Sequence, residues 1–339
     1  MNKKYIEHKE KAVVADERFE HVMAITLDPR TNFKDGIIRC IIKRIGDVSV
    51  KGFQDRSELH KITSDSEGKF IIGKKLNIKN ENKILENLKE EGLRFIGFED
   101  PDIWIDGKTN LIHVYFTIPF ISEDKNKYQS KIHLGHAVGR DLDSLEITQP
   151  VLLNDVIGIA KELSIAPLNK EGFRYNLVES SDKIGNTKYS TVRCAVAKDM
   201  GEAWEFGETV FHPAKENIPW IAGDASPGPL FPETFIHIGE GKRVGVINGR
   251  EANQIIDGKT IYGIFSVGLF IYDYEEGKID WVSKEPFIRD SEAKIITFAS
   301  QFIENETKNG KGTLYAHVDD SFVRAYDLDA EKIKTLLPD

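Results

Sequence analysis

The sequence predicts an all-β fold, a five-bladed β-propeller with one short helical insertion, and three observations carry that prediction. Outside residues 80–91 the chain reads as short runs rich in Ile, Val, Phe and Tyr, broken by Gly, Asp and Asn. An acidic or polar residue followed by Gly precedes an apolar run five times: Asp35-Gly36, Asp106-Gly107, Glu171-Gly172, Glu240-Gly241 and Asn309-Gly310. The intervals between those glycines are 71, 65, 69 and 69 residues. Gly supplies the backbone freedom a tight hairpin needs, so the recurrence has a structural cause.

Taken along the chain, each unit opens on such a turn and continues into an apolar run: residues 37–44, 111–120, 173–180, 243–250 and 312–320. A second β run follows in each and ends near an aspartate, at Asp65, Asp141, Asp199, Asp273 and Asp327. A unit of three or four strands cannot bury both faces alone, so it must pack on like neighbours. Radial closure of five units covers most edges and leaves a central channel. A β-sandwich is the alternative, but it does not predict five similar repeats. The whole chain, 1–339, is therefore expected to be one propeller domain. Residues 80–91 place Ile84, Leu85 and Leu88 on one stripe at helical spacing, a helix inserted where the first unit runs long.

Composition narrows the function. Apolar residues make up 40% and charged residues 30%, which is ordinary for a soluble globular chain, and the net charge of −9 comes with no basic block. Nucleic acid is thereby disfavoured as a partner. No stretch approaches 18 apolar residues, and the N-terminus lacks an apolar signal core, so neither a membrane span nor a secretory leader is expected and the localisation reads as cytoplasmic. Cys40 and Cys194 sit in strand-like runs and read as buried free thiols. His113, His133, His136, His237 and His317 form no metal motif, and no phosphate-cradling Gly pattern occurs, so no metal or cofactor is expected. The oligomeric state is left open.

The chemistry concentrates at residues 97–104, where Glu99, Asp100 and Asp102 crowd before an apolar strand. Pro101 disfavours helical geometry at Asp100. If this segment faces the axis, like-charged neighbours raise the Asp100 pKa, as a general acid requires. The alternative is a turn whose carboxylates only accept backbone hydrogen bonds. Glycoside cleavage needs a second carboxyl group across the bond. Glu179 and Glu251, at the ends of the third- and fourth-unit strands, are the candidates. The Gly- and Pro-dense segment from Asp224 to Pro229 suggests a shaped subsite, and Asn248 and Arg250 end the strand behind it. Trp220, next to Pro219 in a loop, is the preferred sugar-stacking ring over Trp104, Phe173, Tyr175 and Phe231 in strands.

These features resemble the glycoside hydrolase family of β-mannoside phosphorylases and related mannosidases, which are five-bladed propellers. The resemblance covers most of the chain. Its most specific piece is Gly97-Phe98-Glu99-Asp100-Pro101, supported by residues 57–60, 64–68, 227–229, 262–269 and 283–286 in the same order. It implies that Asp100 donates a proton to the glycosidic oxygen, directly or through a substrate hydroxyl. The departures bear on the acceptor. Asp102 stands where the family has Arg, Glu179 where phosphorylases have a His-Arg pair, and Asn248 where they have His in Tyr-His-Gly. Arg44 remains from the basic set, and Arg250 is placed to compensate. The implied activity is a hydrolase of β-mannosides or a related oligosaccharide, inverting, with Glu179 and secondarily Glu251 activating water. The implied substrate-binding residues are Arg44, Glu99, Asp102, Trp220, Asp224, Asn248 and Arg250. A phosphate-dependent β-mannoside phosphorylase and a non-catalytic carbohydrate-binding propeller are the alternatives.

Overall fold

In the computed structural model, which describes residues 4–13, 16–66, 68–124, 130–152 and 159–338, each predicted unit is an antiparallel sheet. Glu67, part of the family-like order, lies outside these residues. The first strand in the chain, β1 (Tyr5–Lys11), belongs to the last blade. Blade 1 is β2 (His21–Leu27), β3 (Asp35–Ile45), β4 (Gln54–Ser64) and β5 (Phe70–Lys75). The expected helix, α1 (Glu81–Leu88), follows with Ile84 buried. Blade 2 has an interrupted inner strand, β6 (Leu93–Phe95) and β7 (Glu99–Ile105), then β8 (Ile112–Ser122), β9 (Ser130–Gly139) and β10 (Glu146–Ile147). Blade 3 is β11 (Lys161–Ser164), β12 (Arg174–Ile184), β13 (Thr187–Ala197) and β14 (Glu205–Phe211). Blade 4 is β15 (Asp224–Leu230), β16 (Lys242–Arg250), β19 (Phe265–Asp273) and β20 (Lys278–Val282), with the hairpin β17 (Gln254–Ile256) and β18 (Lys259–Ile261) between its middle strands. Blade 5 is β21 (Thr297–Glu304), β22 (Lys311–Val318) and β23 (Phe322–Asp329), and β1 is its outermost strand; a short α2 (Ala330–Lys334) ends the fold. The inner strands β2, β7, β11, β15 and β21 each touch the next, and β21 touches β2, which closes the ring.

Four of the Gly turns fall between the first and second strands of a blade, and Gly36 is the second residue of β3. Three of the five, Gly172, Gly241 and Gly310, use positive φ; in blade 2 the left-handed residue is Asn110 instead, and in blade 1 it is Asn32 and Phe33. The aspartate series marks the third strand. The Asp65, Asp141, Asp199 and Asp273 side chains each accept a backbone N–H of the following turn, while Asp327 faces Thr313 and His8.

Strand alternation explains the core, because successive side chains point to opposite faces. Ile37 packs toward blade 2 with Val114 and Phe116, whereas Ile38 packs toward blade 5 with Val323. Leu177 joins Ile247 and Phe270 of blade 4, and its neighbour Val178 joins Tyr115 and Leu134 of blade 2. Val246 and Leu269 meet Leu314 and Tyr326 of blade 5. The five larger apolar clusters thus lie between blades, one per interface, and two smaller ones, around Met23 and Phe298, lie at the cavity wall. Cys40 and Cys194 are buried free thiols, and no helix among the described residues is long and apolar enough to cross a membrane.

Candidate functional site

The register slips once in the inner strand of every blade: between Met23 and Ile25, Glu99 and Asp102, Lys161 and Leu163, Pro227 and Leu230, and Ala299 and Gln301. A bulge re-aims the side chains around it. In blades 1, 2 and 3 the bulge holds a non-glycine residue in the left-handed region: Ala24 at φ 47°, Asp100 at φ 46° and Glu162 at φ 47°. Such strain persists only where the surroundings over-determine it, and it collects at functional sites. Here it delivers Glu99, Asp100, Lys161 and Glu162 to the wall of an axial cavity of about 650 Å³.

All five blades contribute charged or polar groups to that wall. Arg39 of β3 spans the first interface. Its Nη1 donates to Asp100 Oδ1 at 2.9 Å, its Nη2 to Glu99 Oε1 at 2.6 Å and its Nε to Ser57 Oγ at 2.9 Å. Burial alone pushes the Asp100 carboxyl up, but the charge of Arg39, with Lys161 behind it, outweighs burial and holds it below the usual carboxylate range. This corrects the expectation of a raised Asp100: its nearest strong neighbour is a guanidinium. The raised groups stand beside it. Burial lifts Glu99 to about 7 against the pull of Arg39, and burial plus the Asp100 charge lifts Glu162 well above its ordinary value. The two carboxyls act on each other in opposite directions: a hydrogen bond between them lowers Asp100 and raises Glu162, which favours the proton on Glu162.

Blades 3 and 4 form a second, cation-rich wall. Lys161 Nζ lies 3.4 Å from Glu179 Oε1, and Ser190 donates from Oγ to Glu179 at 2.7 Å and from its backbone N–H to Asp224 at 2.7 Å. Arg250 pairs with Asp224 and lies over the rings of Tyr262 and Phe265. Burial pulls the Lys161 pKa down, but Glu179, Glu162 and Asp100 overturn this and keep the amine charged. Lys188 also faces the cavity and forms no ion pair among the described residues. On the blade 5 side stand Phe298, Asp320 and His317. His317 is 4% exposed, neither of its ring nitrogens has a hydrogen-bond partner among the described residues, and burial lowers its pKa to about 3, so it is neutral. An unsatisfied buried ring aimed at a cavity is a group waiting for a polar ligand. The β17–β18 hairpin meets the 46–53 loop through Val50 with Ile261 and Lys51 with Thr260.

Of the residues singled out from sequence, Glu99, Asp100, Glu179, Asp224 and Arg250 line this cavity together. The others lie off its wall. Arg44 is turned to Asp55 at 2.7 Å and to the Asp320 carbonyl at 2.8 Å. Asn248 is fully buried and exchanges two hydrogen bonds with the Ala299 backbone, tying blade 4 to blade 5. Trp220 is 6% exposed, its Nε1 donates to the Ser283 carbonyl, and its indole fills the space left by Gly249 and Gly268. Asp102 points away beside Tyr115, and burial lifts it to about 7. The Glu251 backbone bonds to Ile264. The cavity's aromatic surface is Phe53, Tyr262, Phe265 and Phe298 rather than the rings picked from sequence. Sequence reading also passed over Arg39, Lys161, Glu162, Lys188, Ser190 and His317. The available signal was a charged residue inside an apolar strand, as with Arg39 between Ile38 and Cys40. Among the described residues no cluster of three or more His, Cys, Asp or Glu is arranged to hold a metal ion.

A five-bladed propeller with a polar axial cavity defines the class of fold. No family model matches the sequence, and no curated protein matches it. Solved structures do. The chain is similar to β-1,2-mannobiose phosphorylase from Listeria innocua in complex with β-1,2-mannobiose, at 13% identity and TM-score 0.66, over 99% of each chain. It is similar at 16% identity and TM-score 0.68, over 96% of this chain and 94% of the other, to a structure from work on GH130 mannoside phosphorylases that include hydrolases of β-1,2-mannosidic linkages in Candida mannan. A mannose phosphorylase from Leishmania mexicana, bound to phosphate, matches at 12% identity and TM-score 0.53, over 99% and 92%. At these identities the likeness establishes the propeller fold.

Proposed function

We propose that this protein cleaves a mannoside-type glycosidic bond in the axial cavity, with inorganic phosphate as the acceptor. The observation that carries the proposal is a cavity wall that sets Asp100 beside Lys161, Lys188 and Arg250, of which Lys188 forms no ion pair among the described residues. The unpaired Lys188 ammonium offers donors to an anion, and cations donate strong hydrogen bonds to phosphate. The departures at Glu179 and Asn248 pointed to a lost phosphate site. Lys161 and Lys188, invisible to that reasoning, supply charge of the required sign. The likeness to two phosphorylases supports the same acceptor.

In this reading Asp100, oriented by Arg39, delivers a proton to the leaving oxygen. Phosphate, held by the cation group, attacks the anomeric carbon as that bond breaks, and the products are a sugar phosphate and the shortened saccharide. His317 donates to a sugar hydroxyl. One observation favours a second reading, hydrolysis: Glu179 is 4% exposed, held by Ser190 and Lys161, and placed to take a proton from water. The test is incubation with β-1,2-mannobiose and manno-oligosaccharides with and without phosphate. Turnover that requires phosphate and yields a sugar phosphate is expected. Phosphate-independent release of free mannose establishes hydrolysis instead, and oligosaccharide binding with no turnover overturns both.

A further inference from the structure

Two carboxyl groups meet at the interface of blades 2 and 3. Asp100 and Glu162 each occupy the bulge of their own inner strand, each in the left-handed region, at φ 46° and 47°. The matching bulges of the touching strands β7 and β11 place both side chains on the wall of one cavity, and a hydrogen bond between them lowers Asp100 and raises Glu162. Two carboxyl groups that share a site do not both ionise readily, and one keeps its proton. The same wall carries the unsatisfied ring of His317, so the contact lies where a polar ligand is awaited.

We propose that Asp100 and Glu162 form a dyad sharing one proton, in which Glu162 is the positioning residue that stores the proton and reloads Asp100. This rests on the role of Asp100 in the proposed reaction. At rest Glu162 is the acid and Asp100 the carboxylate. As the glycosidic C–O bond breaks, the Glu162 proton passes to Asp100, and an Asp100 proton passes to the leaving oxygen. Asp100 ends ionised as it began, and the charge is left on Glu162, next to the Lys161 ammonium. The electron pair of the broken bond stays with the leaving oxygen, and the acceptor oxygen forms the new bond to the anomeric carbon. Glu162 then recovers a proton from solvent.

The surrounding groups fit this division. Arg39 faces Asp100 from β3 and favours its ionised form, and His317 from β22 stays neutral. Lys161 from β11 faces both carboxyls, and Glu179 from β12 adds a negative charge that favours the proton on Glu162. Lys188 from β13 faces Glu179, and Asp224 from β15 is neutralised by Arg250. Glu99 beside Arg39 also feels the Asp100 charge, which adds to burial in raising it.

The experiment pairs infrared spectroscopy with a pH–rate profile. At pH 8, above the values of about 7, 7 and 6 to which Glu99, Asp102 and Asp320 are raised, the wild-type protein is expected to keep a protonated-carboxyl C=O band. Glu162→Gln removes it, and Glu99→Gln does not. In Glu162→Gln, Asp100 stands alone beside Arg39, so its proton is lost at lower pH. The basic limb of kcat therefore moves down by about one unit or more, kcat at pH 7 falls roughly tenfold, and activity recovers as the pH is lowered. A purely structural role predicts a loss that is uniform in pH. Absence of the band from the wild type at pH 8, or a wild-type pH profile in Glu162→Gln, overturns the dyad. The wild-type spectrum decides the matter even if the variant misfolds. A wild type with the band but no turnover on any mannoside keeps the shared proton and rejects the proposed reaction.

Discussion

Lys188 is held at the cavity wall by its strand register, not by a partner. It lies on β13 two residues before Ser190, and burial lowers its pKa while the Glu179 charge raises it. A cation near Glu179 but in no ion pair among the described residues keeps donors for an anion that arrives from outside. Lys188→Met preserves the side-chain length and removes the charge. The KM for phosphate is expected to rise about tenfold or more, since a charge-assisted hydrogen bond contributes roughly 1.5–3 kcal/mol. The KM for the saccharide should stay within about twofold, and the melting temperature should not fall. Initial rates with each substrate varied separately check this, and an unchanged phosphate KM removes Lys188 from the acceptor site. Residue-level legibility follows from the same physics. Asp100 was readable because Pro101 and two other carboxylates surround it. Lys188 and Glu162 were not, because a charged residue in a strand reveals its face only when the register and the bulge are known. Trp220 misled for the complementary reason: the glycines that make room for it, Gly249 and Gly268, lie on β16 and β19, far along the chain.

At the scale of the element, the junction between β6 and β7 sets the first wall. Gly97 sits there at φ 115°, and a Cβ on it would collide with the Ser57 carbonyl of β4, whose own N–H bonds to the Ile96 carbonyl. Two residues later the chain delivers Glu99 and Asp100 to Arg39, which is itself braced by Ser57. Gly97→Ala therefore combines an unfavourable φ with a backbone clash. It is expected to cost about 3 kcal/mol or more and to misplace the Arg39 pairs, lowering kcat with it. Gly107→Ala is the control, because its Cβ meets nothing within 4 Å and its φ is not positive; its stability should stay within about 0.5 kcal/mol of wild type. Urea denaturation of both variants separates the outcomes, and equal midpoints remove the steric argument. The strands and turns themselves were legible because Gly recurs at the same blade position five times. The bulges were not, since their residues, Ala24, Asp100 and Glu162, share no chemistry that marks a left-handed backbone.

The whole molecule is a ring, and the polar axis is stitched at each interface. Arg39 joins blades 1 and 2, Asp100 with Glu162 joins 2 and 3, Ser190 with Asp224 joins 3 and 4, Asn248 with Ala299 joins 4 and 5, and Arg44 with Asp320 joins 5 and 1. The count of five blades was legible, but the closure was not, because the fourth strand of blade 5 comes from the opposite end of the chain. β1 pairs with β23 through Tyr5 with Leu328, Glu7 with Tyr326 and Lys11 with Arg324, and the backbone at Ala12 then bonds to both Val323 and Phe70. One short segment thus covers the open edge of blade 5 and clamps it to blade 1. Tyr5 adds edge-on packing against Phe287 and Tyr326, and the His8 carbonyl accepts from the buried Arg324. Removal of residues 1–11 exposes the β23 edge, uncovers one side of Tyr326 and takes a partner from a buried guanidinium. Stability is expected to fall by about 3 kcal/mol or more, with the loss centred on blade 5: β23 amides lose hydrogen-exchange protection first, while those of β8 and β12, on the far side of the ring, lose it only with global unfolding. A synthetic peptide of residues 4–13 should restore protection to β23 by adding back the missing strand. Full protection of β23 in the truncated protein would mean that blade 5 closes without β1 and that the ring is held by its axial contacts alone.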